Sequence, residues 1–369
     1  MQDSPLKKLL LIILLAATGA ALLLQFINLE LKPQENPQPK TFKPDFVYHY
    51  TPPKSAGSRN PVPTNSEEVE SAPAPKISRE QAEAWLTKHN RNAMSLLAAF
   101  RALGDTNYLN EAATNFSNDP HVELAVLARD EFPADRRKWL DLFKQSSPSN
   151  SLANYFSAED DFKNGKSDEA VQELLAASGK SQFNNFEMEN QLDAEELYSA
   201  SGKSPIDVAT DSMSDIAGDV LPELATYRRL AQGIGNLEKQ YANAGDANSA
   251  VNLTQAGMTL ANQIQNGDSG KYLVNQFVGT AIERMMLSQL DQTTSYDFLD
   301  GQTPAQVAEA LKQQKAETRK LIADFTPVQM QLMLNESEMA SYVQRMKIYG
   351  EVEAMKWAIQ QYPSATPAK

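Results

Sequence analysis

The sequence predicts an all-α protein with one apolar segment ahead of a proline-rich stretch. Three observations carry that expectation. Apolar residues after Ile77 recur at spacings of three and four, and no segment sustains the alternation of a strand. Capping residues stand directly before prolines at Asp119-Pro120, Ser204-Pro205, Thr303-Pro304 and Thr326-Pro327, the pattern that opens helices. The only Asn-Gly pairs, Asn164-Gly165 and Asn266-Gly267, end helical patterns and do not join strands. The expected organisation is a stub and transmembrane helix over 1–29, a linker over 30–76, short helix pairs over 77–220, a long-helix bundle or solenoid over 221–363 and a disordered tail over 364–369.

The first element is the run Leu9–Leu24, which contains no charged residue. Gln25, Phe26 and Ile27 extend it to nineteen residues with one amide. Nineteen helical residues rise about 28 Å, close to the roughly 30 Å of a bilayer's hydrocarbon core. Lys7 and Lys8 flank its amino side. Basic flanks stay in the cytoplasm, which sets the chain after Asn28 outside. A cleaved secretory signal is the alternative, since Thr18-Gly19-Ala20-Ala21 offers small residues, but Leu22-Leu23-Leu24 continue the run. Either way the bulk of the chain is expected to be extracytoplasmic, anchored through 9–27 or secreted. Ala16/Ala20 and Ala17/Ala21 have the spacing of a helix-association face, and self-association rests on nothing else.

Residues 30–76 hold ten of the twenty prolines. Such a segment is a spacer, reaching about 145 Å extended and about 40 Å as a coil. It contains one aromatic cluster, Phe42, Phe46, Tyr48, His49 and Tyr50, read either as plain linker or as a short docking motif.

The chain has 34 basic and 47 acidic residues, with eight basic and seven acidic before Ile77. The remainder carries 26 against 40, a charge of −14. That sign repels phosphate backbones, so no nucleic-acid partner is expected. The absence of cysteine excludes disulfides, thiolate metal sites, cysteine nucleophiles and a lipidated cysteine.

Ser78-Arg79-Glu80-Gln81 has the capping-box form and opens a helix expected to run to about Leu103, where Gly104-Asp105 breaks it. The clearest helix pair spans Ser151–Ser178. Ala158 and Phe162 lie one turn apart, Gly165 turns the chain, and Ala170, Leu174 and Ala177 recur at four and three. This stretch resembles a tetratricopeptide repeat, whose small residue, turn glycine and second-helix alanine match Ala158, Gly165 and Ala170. Pro148 lies where a preceding repeat's terminal proline would fall. Asn154 stands where the family usually carries an aromatic and Asp161 where it usually carries tyrosine. Gly104–Pro120 is a weaker echo, one residue short. The resemblance covers about three degenerate units, and it implies stacked helix pairs that bind another protein through an extended surface.

Further on, Leu224, Tyr227, Leu230, Ile234, Leu237, Tyr241 and Ala244 form one helical face. Val307, Leu311, Thr318, Leu321, Ile322 and Phe325 form a narrower one, and a last helix from Glu336 to Gln361 carries Tyr342, Met346, Tyr349, Val352, Met355 and Ile359. Met285, Met286, Met330, Met333 and Met339 fill core space in this reading, with an adaptable binding surface as the alternative.

No catalytic, cofactor-binding or metal-ligating set emerges. His49, His89 and His121 have no partner at ligand spacing. Asn266–Tyr272 fails as a phosphate loop, because Gln265 and Tyr272 replace its first glycine and its Ser/Thr. Glu336-Ser337 resembles the Glu-Ser pair of lytic transglycosylases, but the downstream Gly-Leu-Met-Gln of that family is absent; Asn335 as a helix cap accounts for it. The run Glu159-Asp160-Asp161 is expected to solvate a helix face, its carboxylates pointing to different sides. The leading expectation is therefore a non-enzymatic, membrane-tethered scaffold that binds another protein in a bacterial cell envelope, without a cofactor. The alternative is an envelope-polymer hydrolase whose two carboxylates the fold assembles at one cleft.

Overall fold

The computed structural model describes residues 76–363. The apolar run, the aromatic cluster with His49, and the tail over 364–369 lie outside them. The described residues are helical throughout, with one isolated parallel bridge between Asn150 and Gln182 and no strand. No helix among them is long and apolar enough to cross a membrane.

The chain runs through α1 (Arg79–Lys88), α2 (Ala93–Leu103), α3 (Thr106–Asn115), α4 (Pro120–Arg129), α5 (Arg136–Ser146), α6 (Leu152–Lys163), α7 (Ser167–Ser178) and α8 (Glu187–Ala200). The longer elements follow as α9 (Pro205–Asn243), α10 (Ala247–Asn266), α11 (Leu273–Leu287), α12 (Pro304–Met333), α13 (Glu336–Tyr349) and α14 (Glu351–Gln361).

Side-chain caps set most of the starts. Ser78 and Gln81 close a reciprocal capping box, as do Thr303 and Gln306. Asp105, Asp119, Ser204, Asp246 and Asn335 each accept from an N–H of the first turn. Each such cap satisfies a donor that the helix itself cannot.

Three boundaries differ from the sequence expectation. The helix expected over 78–103 is two, because Asn90 (φ 54°) and Arg91 (φ 47°) take left-handed conformations and Asn92 caps a new helix through Ser95. The Arg91 guanidinium holds the corner by bonding Glu111 at 2.7 and 2.6 Å and pairing with Glu83. The last helix also divides, at Gly350, whose φ of 88° and ψ of 165° only glycine adopts without strain. Tyr349 consequently leaves its expected apolar stripe and is 63% exposed. Thr326-Pro327, in contrast, opens nothing and lies inside α12. The Thr326 hydroxyl donates to the Ile322 carbonyl at 2.9 Å, while Phe325, Val328 and Leu332 are buried on either side of the proline. That packing carries the helix past a residue that would otherwise break it.

The boundary drawn at 220–221 falls within α9, a 39-residue helix that contains Pro222. Helix α9 is the spine of the molecule, in contact with α4, α6, α8, α10, α11 and α13. Its face Leu224, Tyr227, Leu230, Ile234 and Leu237 is buried, Tyr241 is half-buried, and Ala244 lies beyond the helix end. One hydrophobic core extends along this spine from Ile77 to Met286. A second core gathers Phe325, Val328, Leu332, Tyr342, Met346 and Met355, where α12, α13 and α14 fold together.

Candidate functional site

An open apolar groove of about 120 Å³ lies between α7 and α10, lined on one side by Tyr241 of α9. Leu174, Leu253 and Ala256 form a buried floor, and Ser249 and Asn252 supply the polar wall. Leu175 stands on the rim with 55% of its surface exposed. A leucine in that position keeps apolar area in water that a partner would cover at about 25 cal/mol per Å². The exposed carboxylates Asp168 and Asp246 precede the groove residues Val171 and Ser249 by three residues, at the starts of α7 and α10.

Two matching turns build this groove. Before α7, the N–H of Lys166 bonds the Asp161 carbonyl and that of Gly165 bonds Phe162, with Gly165 at φ 73°. Before α10, the N–H of Asp246 bonds the Tyr241 carbonyl and that of Gly245 bonds Ala242, with Gly245 at φ 81°. Both are the glycine-terminated helix ends that reverse a chain into an antiparallel helix. Ala170 and Ala250 follow their glycines by five residues, and both are buried against the preceding helix. The α9–α10 hairpin thus repeats the α6–α7 hairpin eighty residues later. Sequence reasoning missed it because α9 is far longer than α6, although Gly245, Ala250 and Val251 stand in the order of Gly165, Ala170 and Val171.

The departures from the repeat pattern have local explanations. Asn154 is buried, and its amide donates to Glu173 Oε2 at 2.7 Å, a polar contact where the resemblance leads one to expect an aromatic. The acidic run on α6 does not solvate a face, contrary to expectation. Glu159 pairs with Arg229 of α9, Asp160 with Arg136 at 3.4 Å and Asp161 with Arg137 at 3.6 Å. Burial raises the Asp161 pKa, and Arg137 opposes that shift. The three carboxylates do point to different sides. Because α6 has neighbours on several sides, each finds a cation there and not water.

His89 and His121 both approach α8. His89 stacks on Trp85 at 4.3 Å, with its Nε2 3.4 Å from Glu196. The His121 ring lies 4.2 Å from Phe186 at the α8 cap, with its Nδ1 3.1 Å from Asp119. Burial pushes the Asp193 carboxyl upward, while Arg101, His121 and His89 pull it down. Among the described residues no three His, Cys, Asp or Glu side chains are placed to hold a metal ion.

The interior carries acids that no sequence pattern singles out. Asn185 Nδ2 donates to Glu187 Oε1 at 2.6 Å and to Glu223 Oε2 at 2.9 Å, bringing two carboxyls onto one amide. Both are only 4% exposed. Desolvation pushes Glu187 up to about 7 and Glu223 well above its usual range. Desolvation likewise raises Glu123, bonded by the Ser146 hydroxyl, and Glu238, bonded by Thr254, each to about 7. None of these four lines the α7–α10 groove.

The motifs weighed in the sequence fall elsewhere. Asn335 Oδ1 accepts from the Glu338 N–H at 3.3 Å, and Glu336 and Ser337 are exposed in the first turn of α13. Within Asn266–Tyr272, Asp268–Lys271 forms a short 3-10 helix between α10 and α11. There Gly270 is tightly enclosed, since a Cβ would meet the Gln265 carbonyl at 2.0 Å. Comparison of the chain with protein-family models, curated proteins and solved structures returns no match.

Proposed function

We propose that the protein is a membrane-tethered helical scaffold that binds another protein outside the cytoplasm, in a cell envelope. The observation that supports it best is the α7–α10 groove, with an apolar floor and a half-exposed leucine at its rim. Paired helices of this kind stack into extended surfaces, and the resemblance of Ser151–Ser178 to tetratricopeptide repeats points to the same use. The tethering half of the reading rests on Leu9–Leu24, its lysine flank and the proline-rich spacer. In this reading the partner inserts an apolar side chain beside Leu175 and carries positive charge toward Asp168 and Asp246.

A photo-crosslinking residue at position 175 in living cells tests the binding reading, with the exposed Lys312 position on α12 as its control. A crosslinked species formed from position 175, absent from position 312 and lost with Asp168→Lys/Asp246→Lys, is the expected result. Equal crosslinking from both positions, or none from 175, rejects the groove as the binding surface.

A further inference from the structure

We propose that Glu187 and Glu223 form a proton-linked latch at the junction of α8, α9 and α11. The junction is tight while the pair holds a proton and loosens when both carboxyls ionise. The geometry is specific. Glu187 is the first residue of α8, Glu223 lies within α9, and Asn185 precedes the α8 cap. One amide nitrogen bridges the two carboxyls at 2.6 and 2.9 Å, and the Tyr227 hydroxyl adds a 3.3 Å bond to Glu223. Asn275 of α11 also bonds Glu187. Glu187 Oε2 is buried without a hydrogen-bond partner, so a second negative charge on the pair meets fewer donors than two buried carboxylates need.

The surroundings do not neutralise the pair. Asp219 of α9 faces both carboxyls and repels charge on them, and its own charge is taken up by Arg101 of α2 and Arg129 of α4. Tyr227 and Tyr272 are the other titratable groups that face it, and burial keeps both hydroxyls protonated. His121 packs against the Phe186 ring at the same cap. The amide groups at the start of α8 favour charge on Glu187, which leaves Glu223, in mid-helix, as the holder of the proton. Phe186 caps α8 in a left-handed conformation, φ 59°, and that strain is available to favour an open state.

Hydrogen exchange on the intact protein tests this. Between about pH 6 and pH 9, after correction for the intrinsic rate, exchange over 186–192 should accelerate at least about tenfold, the equivalent of one unit of pKa difference. Glu223→Gln should abolish most of that acceleration while leaving α3 unchanged, and Glu187→Gln serves if the first variant does not fold. Infrared difference spectra at pH 7 should show a protonated carboxyl band that either variant diminishes. A pH-independent 186–192 segment, an undiminished band, or a pH response retained in both variants overturns the latch.

Discussion

Gly257→Ala and Gly235→Ala should shift stability in opposite directions, although both replace a glycine inside a helix. The fully buried Met286 of α11 occupies the notch that these glycines leave on α10 and α9. A Cβ at Gly257 would stand 2.2 Å from Met286 Sδ and 2.6 Å from Cγ, whereas one at Gly235 would meet nothing closer than 3.8 Å. Each change gains about 1 kcal/mol of helix propensity. At Gly235 nothing offsets that gain, so about 0.5–1 kcal/mol of stabilisation should appear. At Gly257 the fully buried methionine must shift at its Cγ and Sδ, and such overpacking costs about 1–3 kcal/mol. The net effect is destabilisation of up to about 2 kcal/mol, or roughly 4–8 °C if 1 kcal/mol moves Tm by about 2–4 °C in a module of this size. Urea denaturation followed by far-UV circular dichroism reads both changes. Met286→Ala alone should cost about 2–5 kcal/mol, and its combination with Gly257→Ala should cost less than the sum. Stabilisation by Gly257→Ala, or an additive cycle, refutes the notch.

Glu238→Gln should flatten part of the pH dependence of stability. A carboxyl near 4.5 in the unfolded chain and pushed up to about 7 in the fold stabilises fully below pH 4.5 and loses that contribution as pH rises to about 7. The loss is of order 3 kcal/mol, and urea midpoints at pH 5 and pH 8 should converge in the variant. Gly350→Ala should destabilise by about 1–3 kcal/mol, since φ 88° with ψ 165° strains any side chain, and the loss should register as a lower thermal midpoint. Thr303→Ala should remove a capping box and cost about 1 kcal/mol, measurable as faster exchange in the first turn of α12. Leu175→Asp should leave the unfolding free energy within about 0.5 kcal/mol, as for other exposed positions, while abolishing a crosslink formed from a photo-reactive residue at the exposed groove position Asn252.

The helices were legible because their signals are local. Ser78 with Gln81, Asp119 before Pro120 and Ser204 before Pro205 mark starts wherever the chain goes next. The errors arose where tertiary packing overrode a local signal. Pro327 is a strong break that Phe325, Val328 and Leu332 hold straight by burial on both sides. Gly350 and Asn90 were weak signals inside apolar periodicity, and the structure uses their left-handed backbone to turn the chain. The groove was half legible, since Gly165 and Ala170 announced the α6–α7 hairpin and its eighty-residue echo went unread. The interior acids were not legible at all. Glu187, Glu223 and Asn185 become a unit only when α8 folds onto α9, and nothing in their spacing distinguishes them from the many surface carboxylates of an acidic chain.

The proposed placement of the helical module outside the cytoplasm is open to a direct test. The chain has no native cysteine, so Ser4→Cys and Ser149→Cys can be probed singly in intact cells with a thiol reagent that cannot cross the inner membrane. Ser149 is exposed between α5 and α6. Labelling at position 149 and not at position 4 is the expected result; labelling at position 4 and not at position 149 contradicts the account.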